Sequence, residues 1–245
     1  MRVGLFVTCL ADTMRPSVAF AALKLLRHAG CEVVVPESQT CCGQPGYNSG
    51  DRKAAQALAL KLLDEFEHCD YVVLPSGSCG GMIRVHYPEL FADQPTIHIR
   101  IKALAERTYE LTDFLVNIVK LETVPGTAGD NISGNLTYHD SCSGLRELNV
   151  KTQPRFLLQK IPGIKLTEMT ECETCCGFGG TFSVKFGELS TQLADNKCAH
   201  IAASGADVIV GGDLGCLLNI EGRLRRRGDH KTRVLHVAEV LAGIL

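Results

Sequence analysis

Short apolar runs alternate with helix-period stretches along this chain. Residues 2–8 are an apolar run ending at Cys9 and predict a strand. Between 18 and 28, Ala21, Ala22, Leu25 and Leu26 recur at helical spacing. Pro16 suits the first turn of that helix and Gly30 suits its stop. Residues 32–35 read as a second strand closed by Pro36. Residues 52–66 read as a helix rich in Ala and Leu, and 71–74 as a third strand running into Pro75, Ser76, Gly77, Ser78 and Cys79. Residues 83–121 read as mostly helical, with Leu111, Phe114, Leu115 and Ile118 on one face. Alternation of this kind predicts an α/β fold with mainly parallel sheets.

The pattern then starts again. The apolar run into Cys142 matches the one into Cys9. A helix opened by Pro154 covers 155–160, a second covers 188–204, and a strand at 207–210 leads through Gly211, Gly212 and Asp213 to Cys216. The stretch 237–241 resembles 111–115. Residues 123–134 hold Pro125, Gly126, Gly129, Asp130, Asn131 and Gly134, and read as a linker. The expected organisation is two duplicated Rossmann-like halves, 1–122 and 135–245, related by a pseudo-two-fold axis.

The cysteines carry the repeat most clearly. Cys41 and Cys42 followed by Gly43 recur as Cys175 and Cys176 followed by Gly177, with Cys9 and Cys79 flanking the first pair and Cys142 and Cys216 the second. The offset is 133 from Cys9 to Cys142, 134 from Cys41 to Cys175, and 137 from Cys79 to Cys216. These cysteines fall after predicted strands or in loops leading to helices, and the carboxyl ends of strands are where open α/β sheets bind ligands.

Composition narrows the chemistry. The chain has 245 residues, 45% of them hydrophobic, enough for a real core, and a net charge of -2 that gives no reason to expect nucleic acid as a partner. No apolar run approaches a membrane span, and the N-terminal residues lack a signal-peptide pattern, so the cytoplasm is the expected location. Twelve cysteines in such a chain point to metal or redox chemistry rather than a disulfide framework. Cys31, Cys69 and Cys198 lie outside the repeated pattern and read as small core residues.

One half thus offers Cys9, Cys41, Cys42 and Cys79; the other offers Cys142, Cys175, Cys176 and Cys216, with Cys172 as a possible fifth. Thiolates are soft ligands that suit iron–sulfur clusters, zinc or copper(I). Adjacent cysteines reach different irons of a cluster more readily than one small ion, and zinc sites more often use paired Cys-x2–4-Cys units. A metal-free dithiol pair and a zinc-stabilised scaffold remain alternatives. The glycines either donate backbone N–H groups to cluster sulfurs or only form turns. No dinucleotide fingerprint or phosphate-binding Gly-Lys-Ser/Thr loop is present, so a nucleotide-dependent enzyme is not expected. His139 and Asp140 read as structural or as players in proton-coupled chemistry. The basic stretch Arg223, Arg225, Arg226, Arg227, His230, Lys231 and Arg233 reads as a solvated loop or a docking surface for an acidic partner.

The spacing Cys-x31-Cys-Cys-x36-Cys followed by Cys-x32-Cys-Cys-x39-Cys resembles the duplicated cysteine-rich CCG domain found in heterodisulfide reductase and in the iron–sulfur component of glycolate oxidase. With Thr40, Gln44 and Pro45 around the first pair, Phe178 to Lys185 after the second, and Arg146, Glu147 and Leu148, the chain is most similar to the LutA/YkgE family of lactate utilisation proteins. That resemblance implies an iron–sulfur subunit passing electrons from L-lactate, with a ferredoxin-type LutB-like protein and a LutC-like protein as partners. A subunit oxidising glycolate or another 2-hydroxy acid is the alternative. In the heterodisulfide reductase relative the last cysteine belongs to a Cys-x-x-Cys pair; here Met82 and Asn219 take the final position. One or two [4Fe–4S] clusters per chain, with the Cys175 site filled first, are therefore expected.

Overall fold

The computed structural model describes residues 1–126 and 134–244. Most of the expected linker, residues 127–133, lies outside the described residues. The chain forms two four-stranded sheets, both entirely parallel. The first comprises β1 (Arg2–Leu5), β2 (Glu32–Val34), β3 (Tyr71–Leu74) and β4 (Thr108–Glu110), in the order β2-β1-β3-β4. The second comprises β5 (Asn135–His139), β6 (Lys165–Leu166), β7 (Val208–Gly211) and β8 (Arg233–His236), in the order β6-β5-β7-β8. The α/β class and the duplication are as the sequence predicts.

The central strands explain themselves. Val3, Gly4 and Leu5 of β1, Val72, Val73 and Leu74 of β3, and all of β7 are buried, because helices cover both faces of a parallel sheet. Of the edge strands, β2 falls where the pattern puts it, and β4, β6 and β8 were not legible. Thr108-Tyr109-Glu110 sits inside a stretch that reads as helix, yet Thr108 and Glu110 are buried in β4. Likewise β6 has two residues and β8 sits in the basic stretch.

The halves exchange helices. The helix Val237–Ala242 of the second half packs on Ser17–His28 of the first, and Thr152–Leu158 of the second packs on Leu111–Asp113 of the first. Since Ser17–His28 corresponds to Thr152–Leu158, and Leu111–Asp113 to Val237–Ala242, this is the reciprocity that a two-fold axis demands. One continuous core runs through the junction, holding Val3, Leu25 and Phe114 with Tyr138, Leu157 and Leu241. A second contact needs glycine. A Cβ on Gly77 would lie 2.8 Å from Gly144 Cα, so the helix Gly77–Gly81 can lie against Cys142–Leu148 only without a side chain there.

In each sheet the chain turns to opposite sides of the first strand, to β2 and then to β3, or to β6 and then to β7. The carboxyl ends of β1 and β3, and of β5 and β7, therefore flank a topological switch point, the crevice where open α/β sheets bind ligands.

Candidate metal centres

Each switch point is lined with thiols. In the first half, Cys9 opens the helix Cys9–Met14 after β1, and Cys79 lies in Gly77–Gly81 after β3, where the Ser76 hydroxyl caps the helix by accepting from the Cys79 N–H at 3.3 Å. Cys41 and Cys42 come from the loop after β2. Gly43 closes that loop at φ +82, and its N–H donates to Cys41 Sγ at 3.4 Å. Cys9 Sγ lies 3.8 Å from Cys41 Sγ, and Cys42 Sγ lies 3.3 Å from Cys79 Sγ.

The second half repeats the construction. Cys142 opens Cys142–Leu148 behind the N-cap Ser141, and Cys216 lies in Leu214–Arg226 behind the N-cap Asp213. Gly177 sits at φ +88 with its N–H 3.3 Å from Cys175 Sγ, while the Phe178 N–H donates to Cys176 Sγ at 3.5 Å. The pairing recurs, Cys142 with Cys175 and Cys176 with Cys216. In both halves the middle thiol is held well below its usual range by thiol donors: Cys41 by Cys42 and then Cys9, Cys175 by Cys142 and then Cys176. The neighbours Cys42 and Cys176 are pushed up, first by donating to that thiolate, then by their bonds to Cys79 and Cys216 respectively, and then by burial. Each half is thus a set of four converging sulfurs that shares protons in the free protein and would release them to a soft metal.

Cys172 is half-buried against the apolar cluster that holds Cys176 and Cys216. After burial, the groups that act most on its thiol are Asp140, Arg155 and Glu168. Cys31, Cys69 and Cys198 are buried among apolar side chains. Met82, where the fuller pattern would have a cysteine, is buried beside Cys42 and Cys79. Its counterpart Asn219 has a different use, since its Nδ2 donates to the Cys176 carbonyl at 2.8 Å. In the first half Tyr87 does this job, donating its hydroxyl to the Cys42 carbonyl at 2.7 Å. Neither role was legible in the sequence, because a bond to a backbone carbonyl leaves no spacing pattern.

The surroundings of the two sets differ in polarity. Aligning the repeats places His139 at the position of Phe6, both buried. The buried positions of Arg52–Phe66, namely Ala55, Ala59, Leu62, Leu63 and Phe66, align with Ser190, Ala194, Lys197, Cys198 and Ile201 of Gly187–Ala203, so Lys197 stands where Leu62 stands. Lys197 is fully buried and donates from Nζ to the Glu171 carbonyl at 2.5 Å and the Cys172 carbonyl at 3.3 Å. Burial holds its ammonium below the usual range. The His139 imidazole is held down to about 3 by burial first and then by Lys197. Asp140, fully buried in its side chain, makes a two-pronged bond with Arg155 at 2.8 and 2.9 Å, and Arg155 also grips Glu168. A half-to-half comparison of the sequence holds this asymmetry as Phe6 against His139 and Leu62 against Lys197.

The basic stretch is not a loop at its start. Arg223, Arg225 and Arg226 lie on the helix Leu214–Arg226. Asp195 engages Arg223 and Arg227, and Glu221 engages Arg225, so much of the charge is already paired within the fold. On the first half, an open cleft of about 510 Å3 reaches Cys9 and Cys41 past Val7, Phe20 and Val35. Among the described residues no helix is long and apolar enough to cross a membrane.

Two parallel αβ units, each with four thiols at its switch point, define a duplicated cysteine-rich protein, and the family model of the CCG cysteine-rich domain matches residues 3–84 and 136–221. The chain belongs to the Lactate utilization protein A family. It is 47% identical to Lactate utilization protein A of Geobacillus sp. (strain WCH70), covering 98% of this chain and 99% of that one. It is 46% identical to the protein of the same name in Bacillus subtilis (strain 168), with the same coverage. A crystal structure of a hypothetical protein from Helicobacter pylori shares the fold, with a TM-score of 0.67 at 13% identity, over 98% of this chain and 48% of that chain.

Proposed function

We propose that this chain is an iron–sulfur redox subunit of an L-lactate oxidation system, working in the cytoplasm beside a ferredoxin-type LutB-like protein and a LutC-like protein. The observation that carries this reading is the gathering of Cys9, Cys41, Cys42 and Cys79 at one switch point and of Cys142, Cys175, Cys176 and Cys216 at the other. Four thiolates per half suit a [4Fe–4S] cluster in donor number and softness. The name of the relatives supports lactate as the electron source. Bound clusters would supply one-electron carriers. The chain's own part is to hold them with thiolates, to donate Gly43, Gly177 and Phe178 N–H groups to the ligand sulfurs, and to keep water away by burying Cys42, Cys79, Cys176 and Cys216. Such hydrogen bonds favour the more negative, reduced state. The functional unit is both repeats together, 1–122 and 135–245 joined through 123–134.

A second reading, one tetrahedral zinc per half in an assembly scaffold, is favoured by one distance. Sulfurs at about 2.3 Å from a tetrahedral ion stand about 3.8 Å apart, the separation of Cys9 Sγ from Cys41 Sγ being 3.8 Å. Strictly anaerobic purification separates the two. The expected protein is brown, contains iron and sulfide, and is bleached by dithionite; Cys175→Ser or Cys176→Ser removes the iron of the second half. A colourless preparation carrying zinc would sink the proposal.

A further inference from the structure

Among the described residues, the second thiol set has a buried imidazole beside it and the first set has none. The ligand atoms of His139, Cys176 and Cys216 all lie within 4.8 Å of one another. His139 is 1% exposed; neither ring nitrogen makes a well-aligned hydrogen bond among the described residues, and the one acceptor acting on the ring is the Cys172 carbonyl, which leaves at least one nitrogen unsatisfied. An imidazole buried with a nitrogen unsatisfied costs free energy unless something else uses its lone pair. The first half fills the matching position with the apolar Phe6, so the repeated fold does not itself call for an imidazole there.

We propose that His139 is a metal ligand of the second-half centre, making that centre a mixed imidazole–thiolate site with Cys176 and Cys216, while the first-half centre is held by thiolates alone. This rests on the proposed function insofar as the metal is iron. Imidazole suits iron and zinc, and Nε2 or Nδ1 of the neutral ring gives a lone pair without a proton to lose. With His139 taking the place of one of the four thiolates, the neutral ligand leaves the second centre less negative than an all-thiolate one, and Lys197 adds a buried positive group nearby. Replacing thiolate by histidine raises the reduction potential of iron–sulfur centres. The two centres of one chain therefore sit at different potentials, the second higher, which makes electrons run from the first half to the second.

The test uses the full chain, loaded anaerobically with iron and sulfide, grown with nitrogen-15 histidine, reduced and examined by pulsed EPR. The expected result is a directly bound histidine nitrogen coupling in the wild type, lost in His139→Phe, with the midpoint potential of the remaining second centre lowered or its iron lost. An iron-loaded wild type without histidine coupling overturns this inference and leaves the proposed function standing. So does a coupling unchanged in His139→Phe. The wild-type spectrum decides even if the variant fails to fold. If the chain takes up no iron, the proposed function falls; cobalt(II) loaded in its place then reads His139 by the same coupling, whose absence overturns the inference.

Discussion

At the scale of single residues, the cysteines announced themselves and their supports did not. Two adjacent cysteines followed by glycine, repeated at a constant offset, are legible because ligands must come at fixed places along the chain. Tyr87, Asn219, His139 and Lys197 act from helices or strand ends with no periodicity of their own, so only the fold brings them to the sulfurs. Gly177 shows how tightly the backbone there is specified. A Cβ would stand 2.4 Å from the Ser190 carbonyl oxygen at a φ of +88. The left-handed conformation alone costs a non-glycine residue about 1–2 kcal/mol, so Gly177→Ala should lower unfolding stability by at least that much in a denaturant titration and loosen metal retention in the second half. Asp140 is equally exacting. Arg155→Ala strands a fully buried carboxylate, and breaking such a pair costs about 3–5 kcal/mol; thermal unfolding of the variant should show a loss of that order, whereas Lys151→Ala, at an exposed pair with Glu173, should change little.

At the scale of elements, the central strands, the edge strand β2 and the long helices were legible, and the edge strands β4, β6 and β8 were not. The strand at 71–74 and the helix at 52–66 come out of the pattern unchanged, because long periodic or fully apolar runs have one solution. β4 and β8 escape because each ends in a buried polar residue that caps the next helix. Glu110 accepts from the Thr112 and Asp113 N–H groups at 2.7 and 3.2 Å, and His236 accepts from the Ala238 N–H at 3.1 Å within a capping box. The two caps titrate in opposite directions. Burial raises the Glu110 carboxyl from 4.5 to about 7, against the bonds from Thr112 and Asp113. Its contribution is therefore complete below about 4.5 and lost as pH rises through about 7, on the order of 3 kcal/mol. Burial lowers His236 from 6.5 to about 4, so its contribution is present above 6.5 and lost as pH falls through about 4. Glu110→Gln should make stability rise more steeply between pH 4.5 and 7 than in the wild type, as followed by denaturant midpoints across that window. A parallel profile for variant and wild type would show that Glu110 is ionised throughout.

At the scale of the whole molecule, the repeat was legible but the way its copies share a core was not, since no sequence pattern says that Val237–Ala242 leaves its own half to cover Ser17–His28. Contacts across the junction include Arg15 with Glu221 at 2.8 Å, Ser17 with Glu239 at 2.5 Å, and Lys24 with the Ala242 carbonyl at 2.7 Å. Because apolar residues of both halves form one cluster, unfolding should be a single cooperative transition, coincident by fluorescence of tyrosine and by far-ultraviolet circular dichroism. Residues 1–122 expressed alone should fail to reach a folded state, having Leu25, Phe114 and Leu115 without their cover.

One contact on the axis shows what joining the copies made available. Ser76 and Asp213 occupy the same place in their repeats, each capping the helix that carries the downstream cysteine, and they touch: Asp213 Oδ2 accepts from the Ser76 hydroxyl at 3.2 Å and from the Ser78 N–H at 2.8 Å. In a homodimer of either half, a position on the axis faces its own copy. Two carboxylates would repel there, and two hydroxyls would have no anion between them. Within one chain the two equivalent positions are free to differ, one donating and the other accepting, a complementarity that two copies of the same half could not have.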